Sequence, residues 1–237
     1  MSIGPGAPGT IVAVTGLAVE ARIASGPGVR TLAGGGNARQ LAQALERELV
    51  RGARGVISFG VAGGLAEDIV PGTWLVARAV VTPTMRWPCD TAWARMLAER
   101  LHGALTMDLA GEDAPVTQSA AKRALYRTTG AAAVDTESHI AAAIAASHGV
   151  PFAAFRVVVD AAQRDLPPAA SVALDPDGKI SGAAVLRSLA RTPAQLPSLV
   201  RTAIDARTAF RALLRGRRLL GPGLGYPDLA ELLLDVS

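Results

Sequence analysis

Residues 133–163 read AVDTESHIAAAIAASHGVPFAAFRVVVDAAQ, and this stretch decides the fold class. An alanine-rich run of helical character follows Asp135 and Glu137, and FAAFRVVVD then supplies an apolar, β-branched run that ends on Asp160. A helix that feeds a strand is half of a repeating α/β unit. The same alternation recurs upstream, with strand-like runs TIVAVTG (10–16), VRTLAGGG (29–36), GVISFGVAGGL (55–65) and TWLVARAVV (73–81). Between the second and third lies NARQLAQALERELVRG (37–52), where Leu41, Leu45 and Leu49 recur every four residues, Asn37 serves as N-cap and Gly52 as stop. Together these runs predict a three-layer α/β/α fold with a central mixed, largely parallel sheet.

The chain has 237 residues, half of them apolar, which is ample for one large α/β core and short for two. Residues 1–9 read as a flexible lead-in, and residues 10–237 as one domain that ends with a basic helix over 197–220. On that helix Leu199, Ala203, Phe210, Leu213 and Leu214 share a side, flanked by arginines. RDLPPAASVALDPDGKISG (164–182) reads as a loop-rich excursion. Neither a secretory leader nor a run of about 18 apolar residues is present, so a cytoplasmic protein is expected. The single Cys89 excludes an internal disulfide and a thiolate metal cluster. The formal charge is +4, and of the 24 basic residues only Lys122 and Lys179 are lysine. Aromatic residues for base stacking are scarce beside the C-terminal arginines, and no nucleic-acid-binding pattern appears, so no nucleic acid is expected as partner.

Ligands of open α/β sheets bind beyond the carboxyl ends of strands. TIVAVTGLAVE, VISFGVAGG and FAAFRVVVD each run from an apolar strand into glycine or acid, which is expected to gather Glu20, a Gly60–Gly64 turn and Asp160 at one sheet edge, with Glu137 in reach. Taken singly, Asp135 and Glu137 also suit a helix N-terminus, and Asp160 suits a strand end.

Four segments resemble the nucleoside phosphorylase and nucleosidase superfamily, and within it the hopanoid-biosynthesis-associated phosphorylase group: VTGLAVEARIASGPGV (14–29), SFGVAGGL (58–65), VDTESHIAA (134–142) and LRSLARTPAQLPSL (186–199). The resemblance implies cleavage of an N-glycosidic bond in a 5′-substituted adenosine with release of adenine, the substrate being adenosylhopane. It implies backbone contact with the nucleoside at Ala62, Gly63, Gly64 and Leu65, ribose hydroxyls bound by Glu137, and Asp160 as the acid at adenine N7. Glu20 then orients and deprotonates water. Thr136 stands where relatives carry a methionine under the ribose, and Val61 where many carry a phosphate-binding Ser or Thr. Gly35 and Gly36 match a glycine loop beside phosphate, with Arg39 or Arg86 as an anion clamp. Pro115 and Val116 are expected to line the adenine pocket, and Trp87 to border its 5′ side. No cofactor is implied beyond inorganic phosphate as an optional co-substrate, and a homo-oligomer with peripheral membrane contact is expected. Small-molecule methylthioadenosine or S-adenosylhomocysteine nucleosidases, soluble purine nucleoside phosphorylases, and an inactive nucleoside-binding membrane protein are the alternatives. His102, His139 and His148 lack metal-ligand spacing; of these only His139, two residues beyond Glu137, is expected near substrate.

Overall fold

The computed structural model describes residues 9–171 and 182–227. The lead-in before Gly9, the middle of the 164–182 excursion and the tail beyond Pro227 lie outside the described residues. In chain order the elements are β1 (Ile11–Thr15), α1 (Ala18–Ala24), β2 (Val29–Ala33), α2 (Ala38–Val50), β3 (Gly55–Gly64), β4 (Trp74–Val81), β5 (Arg86–Pro88) and α3 (Thr91–Arg100). There follow β6 (Leu105–Gly111), α4 (Ser119–Thr129), β7 (Ala133–Asp135), α5 (Ser138–Ser147), β8 (Phe152–Asp160), α6 (Pro168–Ser171), α7 (Gly182–Arg191) and α8 (Leu196–Leu220).

The strands form one sheet in the order β2-β1-β3-β7-β6-β4-β5, with β8 paired to both β3 and β4. Pairing is parallel for β1 with β2 and β3, for β3 with β8, and for β6 with β4 and β7. It is antiparallel for β3–β7, β4–β5 and β4–β8. The result is the mixed, largely parallel sheet that the sequence pattern predicts.

Alternate residues of each strand face opposite layers. Val12, Val14 and Val56 pack against Leu41, Leu45 and Leu49 of α2 and Ala141, Ala142 and Ala145 of α5. Ala13, Ile57, Phe59 and Phe155 face the other way, toward Trp93 and Leu97 of α3 and Ala209, Ala212 and Leu213 of α8. The α2 leucines account for its stability as a helix in this context, since each buried Leu contributes about 1.5–3 kcal/mol. The Asn37 side chain accepts from Gln40 N at 3.0 Å, and Gly52, at φ +93°, turns the chain after the last turn.

Helix α8 packs its C-terminal half on the sheet. Trp74 Nε1 donates to Ala212 O at 2.9 Å, and Gly216 lies where a Cβ would come within 2.7 Å of the Phe155 ring. The side expected from sequence is thereby divided: Leu213 is fully buried, whereas Leu214 is exposed. The exposed apolar stripe is instead Leu196, Val200 and Ile204, spaced one turn apart in the N-terminal half. Arg215 stacks over Trp74 at 4.5 Å, so that arginine belongs to the packing.

Candidate active site

Strand β3 does not turn at its glycines; it continues as a strand through Gly64. The predicted Gly60–Gly64 turn is therefore corrected. Glycine is required here for close approach rather than for a bend. A Cβ on Gly60, whose φ is +152°, would stand 2.6 Å from the Glu20 carboxyl carbon and 2.7 Å from Arg156 Nη1.

Glu20 is fully buried near the start of α1 and is held by backbone amides. Gly16 N and Leu17 N donate to Oε2 at 2.9 and 2.8 Å, and Val61 N donates to Oε1 at 2.7 Å. Burial pushes its carboxyl up to about 7, against the opposing Arg156 charge and the amide hydrogen bonds. This is the region in which a carboxylate serves as a general base near neutral pH.

Glu137 stands at the N-terminus of α5, on the same side of the sheet. Its carboxylate oxygens lie 3.0 and 3.1 Å from where a Cβ on Gly16 would be, and its Cγ lies 3.1 Å from the corresponding point on Gly34. The β1–α1 and β2–α2 junctions are thus both bare where this carboxylate meets them. Thr136 Oγ1 donates to Glu137 Oε1 at 2.5 Å. Burial raises the Glu137 carboxyl, and Arg156 opposes the rise.

Arg156 is the residue that sequence reasoning did not single out, although it is the one charge amid the apolar residues of strand β8 before its final Asp160. Fully buried, it pairs through Nε with Asp135 at 2.6 Å and approaches Glu137 Oε2 at 3.7 Å. Its Nη2 donates to Ser58 Oγ at 2.5 Å, and Ser138 Oγ donates to the same Ser58 oxygen at 2.7 Å. Asp135 also accepts from Ser138 N at 2.8 Å, which is the helix-start role its position suggested. A guanidinium with no exposed surface is tolerated only when surrounded by such acceptors.

Asp160 closes β8. The β3–β8 register shifts by one residue between Ala62 and Gly63, so Val159 is the extra residue and Asp160 stands opposite Gly63. Its Oδ1 lies 3.3 Å from where a Cβ on Gly63 would be. Gly60 and Gly63 are three strand residues apart, which is about 10 Å. Burial raises the Asp160 carboxyl above the ordinary range; Lys122 is the largest opposing influence and Asp205 adds to the rise. The negative neighbour is thus Asp205 on α8. Lys122 Nζ donates to Asp160 Oδ2 from a fully buried position, a second residue the sequence reading left without a role.

The remaining predicted residues are more scattered. Ala62 is buried in strand β3. Val116 packs against the cluster containing Leu65 and Val134, beside the Gly63–Gly64 end of β3. Gly34 N and Gly35 N donate to Thr15 O and Gly16 O, and Gly35 and Gly36 both have positive φ. Gly34 and Gly35 border a cleft of about 220 Å³ lined also by Gln40, Leu41 and Arg47; Arg39 is exposed and does not line it. Arg86 is not available as an anion clamp, because Asp108 takes its guanidinium at 2.6 and 3.2 Å. Trp87 lines a cleft of about 330 Å³ with Ala146, Gly149 and Phe152, at the opposite end of α5 and β8 from Glu137 and Asp160. His139 turns Nε2 toward Asp113 at 3.2 Å and packs against Gly111.

A sequence model of the phosphorylase superfamily matches residues 28–191, more than half of the chain. The chain belongs to the phosphorylase superfamily. No curated protein matches it in sequence. Solved structures similar to this superfamily member include S-adenosylhomocysteine nucleosidase from Streptococcus pyogenes in complex with 5-methylthiotubericidin (TM-score 0.61, 15% identity, 92% of this chain and 100% of that one). A mutant of Helicobacter pylori 5′-methylthioadenosine/S-adenosylhomocysteine nucleosidase with 5′-methylthioadenosine in its active site gives a TM-score of 0.60 at 15% identity over 89% of this chain and 98% of that one. Native Helicobacter pylori futalosine hydrolase gives 0.58 at 16% identity over 78% and 99%. At such identities the likeness concerns the fold. The span matched by the superfamily model takes in β3, Glu137, Arg156 and Asp160, whereas Glu20 precedes it.

Proposed function

We propose that this phosphorylase-superfamily chain hydrolyses the N-glycosidic bond of a 5′-substituted adenosine and releases adenine. The observation that carries the reading is the buried Glu20–Arg156–Glu137 group packed against bare glycine backbone at Gly16, Gly34 and Gly60. Glu20, ionised on the alkaline side of about 7, accepts the proton of the attacking water. Glu137 accepts hydrogen bonds from ribose hydroxyls, and its charge favours the oxocarbenium-like sugar of the transition state. Asp160, whose carboxyl burial keeps protonated to higher pH, gives its proton to adenine N7 as the C–N bond breaks. Its neighbour Gly63 leaves the base free to lie against β3. Several folds similar to this one are named as nucleosidases of 5′-methylthioadenosine and S-adenosylhomocysteine, which supports the substrate class.

Water is the nucleophile this reading favours over phosphate. Glu20, Glu137 and Asp135 all face Arg156, so its charge is already shared among three carboxyl groups and is not free for a phosphate dianion. Val61 has no hydroxyl to offer, and Arg86 is already bound to Asp108. The test is adenine release from 5′-methylthioadenosine with and without phosphate. Free 5-methylthioribose at equal rates supports the reading; a phosphate requirement with 5-methylthioribose 1-phosphate as product overturns it.

The segment resemblance supports a hopane-linked adenosine as the physiological substrate, and such a lipid is met at a membrane. Among the described residues no helix is long and apolar enough to cross one. The exposed stripe Leu196, Val200 and Ile204 near Arg201 and Arg207 offers a peripheral contact instead. Val200→Glu with Ile204→Glu should abolish low-salt sedimentation with anionic liposomes; unchanged pelleting, or none by the unaltered chain, removes this contact.

A further inference from the structure

Helix α4 buries one side chain completely, and it is a lysine. Lys122 Nζ donates to Asp160 Oδ2, to Ala161 O at 3.1 Å and to Arg164 O at 3.2 Å. An ammonium removed from water is strongly disfavoured unless paired, and an apolar residue at this helix position would avoid that cost. Attachment of the loop does not require it. Ser119 N already donates to Asp165 Oδ1 at 2.6 Å, and Leu166 N to Thr117 O at 2.8 Å, so α4 is joined to the segment after β8 by other bonds. The charged groups facing Asp160 are Lys122 from α4, Arg164 from the segment after β8 and Asp205 from α8. Arg164 is bound to Asp205, which leaves Lys122 as the cation given over to Asp160.

We propose that Lys122 is the positioning residue of the general acid: its ammonium stands against the carboxylate that Asp160 becomes when its proton has gone to the leaving base. The inference rests on the assignment of Asp160 made above. In that step the Asp160 O–H bond breaks and the adenine N7–H bond forms. The electron pair of the glycosidic C–N bond passes to the base, and Lys122 keeps its protons throughout. Burial weakens Asp160 as an acid, and the lysine charge opposes that effect.

The test is the pH profile of kcat/KM for adenine release from 5′-methylthioadenosine by the unaltered chain, Lys122→Met and Lys122→Gln. Loss of the cation should move the alkaline limb, where Asp160 loses its proton, upward by about 1–3 pH units in both variants. The acid limb set by Glu20 should stay. Glutamine can still donate to Ala161 O and Arg164 O, so a lysine that only fastens the loop predicts a limb that shifts in Met and not in Gln. That result, an unmoved limb in either variant, or failure of both variants to fold by circular dichroism overturns the proposal. Asp160→Asn separates the two levels. If it keeps normal turnover, or if the unaltered chain releases no adenine, the reading of Asp160 as the acid falls; if it is inactive while the lysine variants keep the original limb, only the lysine's part falls.

Discussion

Glu20→Gln isolates the energetic consequence of burying a base. The Glu20 carboxyl lies at about 7 in the folded chain against an ordinary 4.5, so the folded state holds this proton more tightly than the unfolded one. Stability from this group is therefore fully present below about pH 4.5 and is lost as pH rises toward 7. A shift of that size corresponds to about 3 kcal/mol between pH 4 and pH 8. Glutamine carries no such proton. It also presents an NH₂ to one of the amides of Gly16, Leu17 or Val61, at a pH-independent cost of about 1–3 kcal/mol. Urea unfolding of both proteins at pH 4 and pH 8 should accordingly show the variant less stable at pH 4, with the gap closing or reversing by about 3 kcal/mol at pH 8. Parallel stabilities across this range would refute the reasoning, because they would mean that Glu20 titrates alike in both states.

Gly60→Ala should lower stability by about 1–3 kcal/mol and abolish turnover, since its Cβ meets Glu20 and Arg156. Gly52→Ala, with open space around it, is the control that reports the positive φ alone in the same urea titration. Glu137→Gln should weaken nucleoside binding by calorimetry while sparing free adenine; equal loss of both would assign the residue to the fold. The Cys89 thiol, buried and pushed up to about 12, should resist Ellman's reagent in the native state and react on unfolding, and rapid native labelling would contradict its placement.

The layers were legible because their signals are local. The leucines of α2 mark their own face, and predominantly apolar runs such as VISF and FAAF mark strands buried on both sides. Where glycine replaces side chains in β3, periodicity vanishes and a strand reads as a turn. The acids were found through motif resemblance, but their counter-charges were not. Arg156 carried a signal that reasoning from burial alone would have caught, since a lone charge amid FAAF and VVV must have acceptors nearby. Lys122 carried none. In SAAKRALYRTT it looks like any solvated lysine, and the partner that explains it is 38 residues away. Arg86 and Trp87 show the same limit: nothing in their own stretch reveals that β5 carries them to the sheet's margin, onto Asp108 and beside the start of β8.

Strand β8 pairs with β3 on one side and β4 on the other, and β3 reaches β4 again through β7 and β6. These five strands form a closed ring, and β8 is the last of them to leave the ribosome. Until residue 160 has emerged, β3 and β4 each present an unpaired edge, an invitation to associate with another nascent chain. Arg156 and Asp160 ride on that closing strand. An incomplete ring thus lacks both the cation that faces Glu20 and Glu137 and the carboxylate that receives Lys122, and the buried charge cluster comes into being in the same event that closes the ring.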